Sequence, residues 1–193
     1  MFIAEKGLEI ETRQVSIADR EQLSDAFLAV NPRATVPVLI TDEGDTLTEN
    51  SAISTYLDAR FPDKPLMGTT PSEKAQIMMW SSIAEAQGGM PVAETLRNSN
   101  PAMKGRALPG PANFEQIPEL ATRGVARVKL FFELLDGQLQ GKQFLTGDSF
   151  TYADITAFVF VDFARVIKQR IPEELAAATD WYTRIKARPS AAL

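Results

Sequence analysis

The sequence predicts a small mixed α+β domain followed by an all-helical one. Up to residue 61 the apolar spacing alternates between periods, in the order helix, strand, helix, strand, strand, helix. Residues 62–71 then hold three prolines and a glycine and break every periodicity. Beyond them every readable segment has helical spacing. These observations place a first domain at residues 1–62, a linker at 63–71 and a second domain at 72–193.

Each element has a local reason. Residues 1–6 read as the end of a helix closed by Gly7, where a left-handed cap suits glycine. Leu8, Ile10, Val15 and Ile17 alternate among charged residues, as in a strand with one solvated face. Residues 21–30 read as a short helix, stopped by Asn31-Pro32. Val36-Pro37-Val38-Leu39-Ile40 follows as an apolar strand whose proline sits near the start, where a missing N–H is tolerable. Asp42-Glu43-Gly44-Asp45 supplies a hairpin turn, Thr46-Leu47-Thr48 the return strand, and residues 50–61 a helix with Ala52, Ile53, Tyr56 and Leu57 on one face.

In the second domain, Ser72 with Glu73 caps a helix that runs through Trp80 until Gly88-Gly89 and Pro91 weaken it. Residues 98–118 form a proline-rich loop. Residues 120–139 carry Val128, Phe132, Leu135 and Leu139 on one stripe, the pattern of an amphipathic helix. Thr151 and Asp154 form a capping box, stapled by Phe150 and Ile155, ahead of a helix that is apolar nearly all round and therefore central. A last helix ends near Arg188-Pro189.

Composition excludes several kinds of chemistry. The 193 residues are 45% hydrophobic and 23% charged, which is a globular balance. A net charge of -5 without clustered Lys or Arg argues against nucleic acid as a partner. The sequence has no Cys and no His, which removes disulfides, thiol nucleophiles, the commonest metal-ligand sets and every His-containing triad within these residues. No apolar run approaches the roughly 18 residues of a membrane span, and no secretory pattern opens the chain. The reading is a cytoplasmic protein with neither metal nor membrane partner.

Four motifs, in this order, carry a resemblance. They are Asn31-Pro32 followed by Thr35-Val36-Pro37-Val38-Leu39; Leu47-Thr48-Glu49-Asn50-Ser51-Ala52-Ile53 with Tyr56-Leu57; residues 144–155, Phe-Leu-Thr-Gly-Asp-Ser-Phe-Thr-Tyr-Ala-Asp-Ile; and Trp181-Tyr182 with Ala187-Arg188-Pro189. Together they resemble the bacterial, cytosolic type of glutathione S-transferase. The resemblance implies an α+β thioredoxin-like N-terminal domain, an all-α C-terminal helical bundle, and conjugation of reduced glutathione to a small hydrophobic electrophile. Glutathione is then a co-substrate, no cofactor is needed, and the protein is a homodimer of the detoxifying kind. The alternative is a non-catalytic binding or scaffold protein on the same fold.

The resemblance also assigns site residues. Pro37 would be cis, with Val36 presenting its N–H and C=O to the extended tripeptide; the plain reading is a trans proline at a strand start. Glu49 and Asn50 would hold the γ-glutamyl end, although most relatives have Ser where Asn50 stands. Asn50 as a simple helix cap is the other reading. Met78, Trp80, Met90 and Phe114 are candidates for an electrophile pocket, against core packing. Arg13, Arg33 and Arg97 are candidates for an anion, against ordinary surface charge. Thr151 and Asp154 are assigned to folding. The first strand and the start of the first helix, with the Tyr, Ser or Cys that activates the thiol, are expected upstream of Met1, over about 15–20 further residues.

Overall fold

The computed structural model describes residues 1–192. Helix α1 (Phe2–Lys6) ends at Gly7, whose φ of 68° and two backbone hydrogen bonds make the left-handed cap that the sequence predicts. The strand expected across Leu8, Ile10, Val15 and Ile17 does not form. Residues 8–16 run as largely exposed irregular chain, because among the described residues no strand lies alongside to pair their backbone groups. The helix expected at 21–30 is interrupted as well. A 3₁₀ turn (Glu21–Leu23) gives way to α2 (Asp25–Leu28), and Ser24 between them is extended so that its hydroxyl can accept the Phe27 N–H.

Strands β1 (Val38–Ile40) and β2 (Thr46–Thr48) pair antiparallel, with Val38 opposite Thr48 and Ile40 opposite Thr46. Gly44 at φ 89° turns the chain between them, and Thr41 accepts the Asp45 N–H. Helix α3 (Asn50–Arg60) follows directly. Its buried row is Ser54, Leu57 and Asp58, with Ile53 and Tyr56 half-buried; Ala52, read on one face with Leu57, is exposed. The helix is rotated because Asp58 has work inside. Its carboxylate takes the buried Lys6 ammonium at 2.7 Å and the N–H groups of Leu66 (2.9 Å) and Met67 (3.3 Å). Lys6 also donates to the Lys64 carbonyl at 2.7 Å, so α1, α3 and the linker meet at one charge pair.

The second domain is helical: α4 (Pro71–Ala84), a π-helical turn (Glu85–Gly89), α5 (Met90–Ser99), α6 (Pro118–Leu139), α7 (Tyr152–Phe163) and α8 (Ala176–Lys186). The cap of α4 is Thr70 rather than Ser72. Pro71 takes the first helical position, where its missing N–H costs nothing, and this moves the capping box to Thr70 and Glu73. Val128, Phe132, Leu135 and Leu139 of α6 are all buried, as their spacing predicts. Helix α7 is the core. Its capping box is formed, and Asp154, fully buried, accepts from Leu145 N (2.9 Å), Thr151 N (3.0 Å) and Trp181 Nε1 (2.9 Å). Burial pushes this carboxyl above its ordinary range while those donors pull it back.

The two domains share a seam. Tyr152 N donates to the Leu66 carbonyl, its ring meets Phe2 edge-on at 5.9 Å, and Glu5 of α1 receives Arg188 at 2.6 and 2.8 Å together with the Ser190 hydroxyl. No helix among the described residues is long and apolar enough to cross a membrane.

Two outcomes follow from this packing. Helices α5 and α6 touch at Gly124, where a β-carbon would collide with the Thr95 hydroxyl and lie 2.8 Å from the Pro91 carbonyl oxygen. Gly124→Ala is therefore expected to cost about 1–3 kcal/mol, read as a lowered midpoint in thermal or denaturant unfolding. The Glu5 carboxyl is held below its usual range, chiefly by the Arg188 hydrogen bonds. A depressed folded value gives stability that is present above the unfolded value and lost as pH falls through the folded one. The melting-temperature gap between the wild type and Glu5→Gln should be full at neutral pH and shrink below about pH 4.5.

Candidate functional site

The site begins in the turn that precedes β1. Asn31, 2% exposed, donates its amide to the Thr35 carbonyl at 2.8 Å and accepts the Arg33 N–H at 3.1 Å. This knits residues 31–35 into a tight loop in which Ala34 has a positive φ of 55°. Val36 follows, and the Val36–Pro37 bond is cis. Val36 is 44% exposed, and among the described residues neither its N–H nor its C=O enters a hydrogen bond. One backbone edge is thus left open beside the hairpin.

The second part is the β2–α3 junction. Glu49 is the N-cap of α3, at φ 69° and ψ 134°, a backbone region that side chains rarely adopt. Its carboxylate does not cap the helix. The first helical hydrogen bond runs from Ile53 N to the Glu49 carbonyl at 3.1 Å, so the N–H groups of Asn50, Ser51 and Ala52 find no acceptor among the described residues. Asn50 is the first helical residue, exposed, and its side chain makes no hydrogen bond among the described residues, so it is not the cap.

Arginine sorts differently from its appearance in the sequence. Arg13 makes an exposed ion pair with Glu21 at 3.1 Å. Arg97 is a strut: it donates to the Arg106 carbonyl at 2.9 Å, and burial, then the neighbouring Arg106 charge, lowers its pKa. Arg33 belongs to the site. Its guanidinium lies 3.3 Å from the Glu49 carboxylate and donates to the Thr48 hydroxyl. Nothing in the spacing of Arg33 and Glu49 announces this pairing, since the register of the hairpin brings them together.

Two further elements of the second domain approach the same junction. Glu85, at the start of the π turn, is half-buried, and its carboxyl is pushed above the usual range by burial and next by the negative charge of Glu49. The loop between α5 and α6 is pinned at its base by Gln116, which donates to the Arg97 and Asn100 carbonyls at 2.8 Å, and by Asn98, which accepts the Ile117 N–H at 2.8 Å. Its tip rests on the Arg33 turn, where a β-carbon on Gly110 would sit 3.6 Å from the Arg33 carbonyl oxygen.

The four apolar candidates are not gathered. Trp80 turns into the core at 8% exposure. Met78 borders an open groove of about 470 Å³ with Leu47, Ser51, Ala52, Thr55 and Tyr56, while Met90 and Phe114 are exposed on α5 and on the α5–α6 loop. A second hollow of about 190 Å³ lies between α7 and α8, beside Arg165, Arg170 and Tyr182. Burial, then the Asp162 carboxylate, pushes the Tyr182 phenol up to about 12, so it is no acid or base near neutral pH.

Taken together, the open Val36 edge, three N–H groups at a helix start that find no acceptor among the described residues, and a carboxylate–guanidinium pair suit a short extended ligand that carries both signs of charge. Comparison with known proteins bears on which one. The family model described as glutathione S-transferase, N-terminal domain, matches residues 1–60, and the C-terminal domain model matches residues 101–189. Glutathione S-transferase 2 of Saccharomyces cerevisiae is 32% identical over 191 residues, covering 97% of this chain and 79% of its own. The crystal structure of Gtt2 from that yeast superposes with a TM-score of 0.87 at 32% identity, over 98% of this chain and 89% of the other. A glutathione S-transferase domain-containing protein from Marinobacter aquaeolei VT8 superposes at 0.89, also 32% identical, over 98% and 91%.

The backbone of Glu49 yields a test that needs no ligand. Glycine accepts its φ without steric cost, so Glu49→Gly is expected to be about 1 kcal/mol more stable than Glu49→Gln, which loses the same charge but keeps the strained backbone. Chemical denaturation of the two variants measures the difference, and equal midpoints would mean that no strain is held there.

Proposed function

The chain belongs to the glutathione S-transferase family, and from that premise we propose that it binds reduced glutathione along the Val36–Glu49–Asn50 edge and conjugates it to a small hydrophobic electrophile. The observation that carries this reading is the backbone of Val36 and the N–H groups at the start of α3, both without partners among the described residues. The cysteinyl unit of glutathione pairs with the Val36 N–H and C=O as a short added strand. Its γ-glutamyl carboxylate settles on the positive end of α3, reached also by the Asn50 amide, and its ammonium is received by Glu49. Glutathione acts as co-substrate, and no resident cofactor takes part.

In the conjugation itself, the glutathione thiolate attacks the electrophilic carbon. A carbon–sulfur bond forms, and either a leaving group departs with its electron pair or the electron pair of a conjugated double bond is protonated. The second substrate approaches from the side of the π turn and the α5–α6 loop, where Met90 and Phe114 are exposed.

Titration of reduced glutathione against the melting temperature tests the binding half. A ligand at a hundredfold excess over its dissociation constant stabilises by about 2.7 kcal/mol, and Glu49→Gln should weaken binding by about tenfold or more. An activated aryl halide, followed by absorbance, tests the chemical half. Binding without turnover of any electrophile would favour the binding-protein reading, and no thermal response to glutathione would overturn the proposal.

A further inference from the structure

Glu49 is not a free carboxylate awaiting an ammonium group. Arg33 already holds it at 3.3 Å, and the pair is open to solvent, with 58% of the Arg33 side chain and 65% of the Glu49 side chain exposed. Exposed pairs of this kind are worth about 0–1 kcal/mol, so a ligand can replace this one at small cost. The backbone of Arg33, by contrast, is fixed. Asn31 accepts its N–H, and a β-carbon on Gly110 would sit 3.6 Å from its carbonyl oxygen, while its guanidinium also donates to the Thr48 hydroxyl. A rigid base carrying an exchangeable charge pair is a receptor for a group that bears both charges at once.

We propose that Arg33 is a ligand-binding residue that exchanges partners: the α-amino acid head of the γ-glutamyl unit inserts into the Arg33–Glu49 pair, its ammonium going to Glu49 and its α-carboxylate to Arg33. Two charges separated by one carbon replace one internal contact with two. The N–H groups of Asn50, Ser51 and Ala52, which have no acceptor among the described residues, follow Glu49 directly at the start of α3 and can share that negative charge. Of the three arginines that the sequence offers for an anion, only Arg33 stands beside an acidic partner at the open edge, since Arg13 is paired with Glu21 and Arg97 is spent on the Arg106 carbonyl. Planar, bidentate donation suits a carboxylate better than a lysine ammonium would.

This inference rests on the glutathione reading, and two trimmed analogues separate the two. Glutaryl-Cys-Gly keeps the acid and lacks the amine; 4-aminobutanoyl-Cys-Gly keeps the amine and lacks the acid. Dissociation constants for glutathione and both analogues would be measured by calorimetry on the wild type, Arg33→Ala, Arg33→Lys and Glu49→Gln. Arg33→Ala is expected to weaken glutathione and the acid-only analogue by about tenfold to a hundredfold, with partial rescue by Arg33→Lys. The same variant should leave the amine-only analogue unchanged or bind it more tightly, because Glu49 no longer shares its charge. Glu49→Gln should show the reverse selectivity. Equal weakening of all three ligands by Arg33→Ala, or no weakening of glutathione, would overturn the exchange. Failure of the wild type to bind glutathione would instead remove the function on which it depends.

Discussion

A single buried charge pair sets the geometry of the first domain. With so little sheet among the described residues, α3 is held in place by Asp58, whose carboxylate collects Lys6 and two linker N–H groups. A charge so far from water is tolerated only when every lone pair is used, and removing one partner of such a pair typically costs about 3–5 kcal/mol. That requirement rotates α3 so that Asp58 points inward, which in turn leaves Asn50 and Ala52 exposed and the start of the helix open. The accessibility of the site is therefore a consequence of where the helix must bury its acid.

The second domain solves the same problem around Asp154. Its carboxylate joins the 144–151 loop to the start of α7, which follows it directly, and binds the indole of Trp181 on α8, so one group ties a local turn to a distant helix. The seam between the domains is then made from α1. Lys6 and Glu5, neighbours on that helix, turn to opposite sides, one to the linker and α3 and the other to Arg188 and Ser190. Five helical residues carry both connections, which ties the first domain to the body that carries the π turn and the α5–α6 loop.

Much of this was legible in the residues. The hairpin, the α6 stripe and the Thr151–Asp154 box are local patterns whose physics is complete within a few residues, and all three form, the first hairpin strand starting at Val38 rather than at Val36. Val36 and the Glu49–Asn50 junction follow from the same local pattern in that they flank the two outer ends of the hairpin, whose register sets Val38 opposite Thr48. What escaped the sequence depends on non-local partners. The alternation from Leu8 to Ile17 specifies a strand only if a neighbour pairs with it. Asp58 carries no mark in the sequence of its burial on α3, because Lys6 and the Leu66 and Met67 N–H groups that satisfy it lie far from it or in the linker. Arg33 looked like any isolated arginine, and only the hairpin register sets it against Glu49.

The π turn at Glu85–Gly89 has a further consequence for the helical rod that contains it. Helix α4 packs chiefly on α7, whereas α5, continuing the same rod, packs chiefly on α6. An α-helix advances by roughly 100° per residue, so the wider turn shifts the angular phase of everything after it. Gly88 and Gly89, pressed against the rings of Phe131 and Phe160, allow the rod to pass through that shift without standing off from its neighbours. Ala86 and Gln87 are exposed and look expendable. Losing either would nevertheless rotate α5 out of phase and swing Pro91, Val92 and Thr95 from the interior toward water, so the length of this segment is constrained more tightly than the identity of its residues.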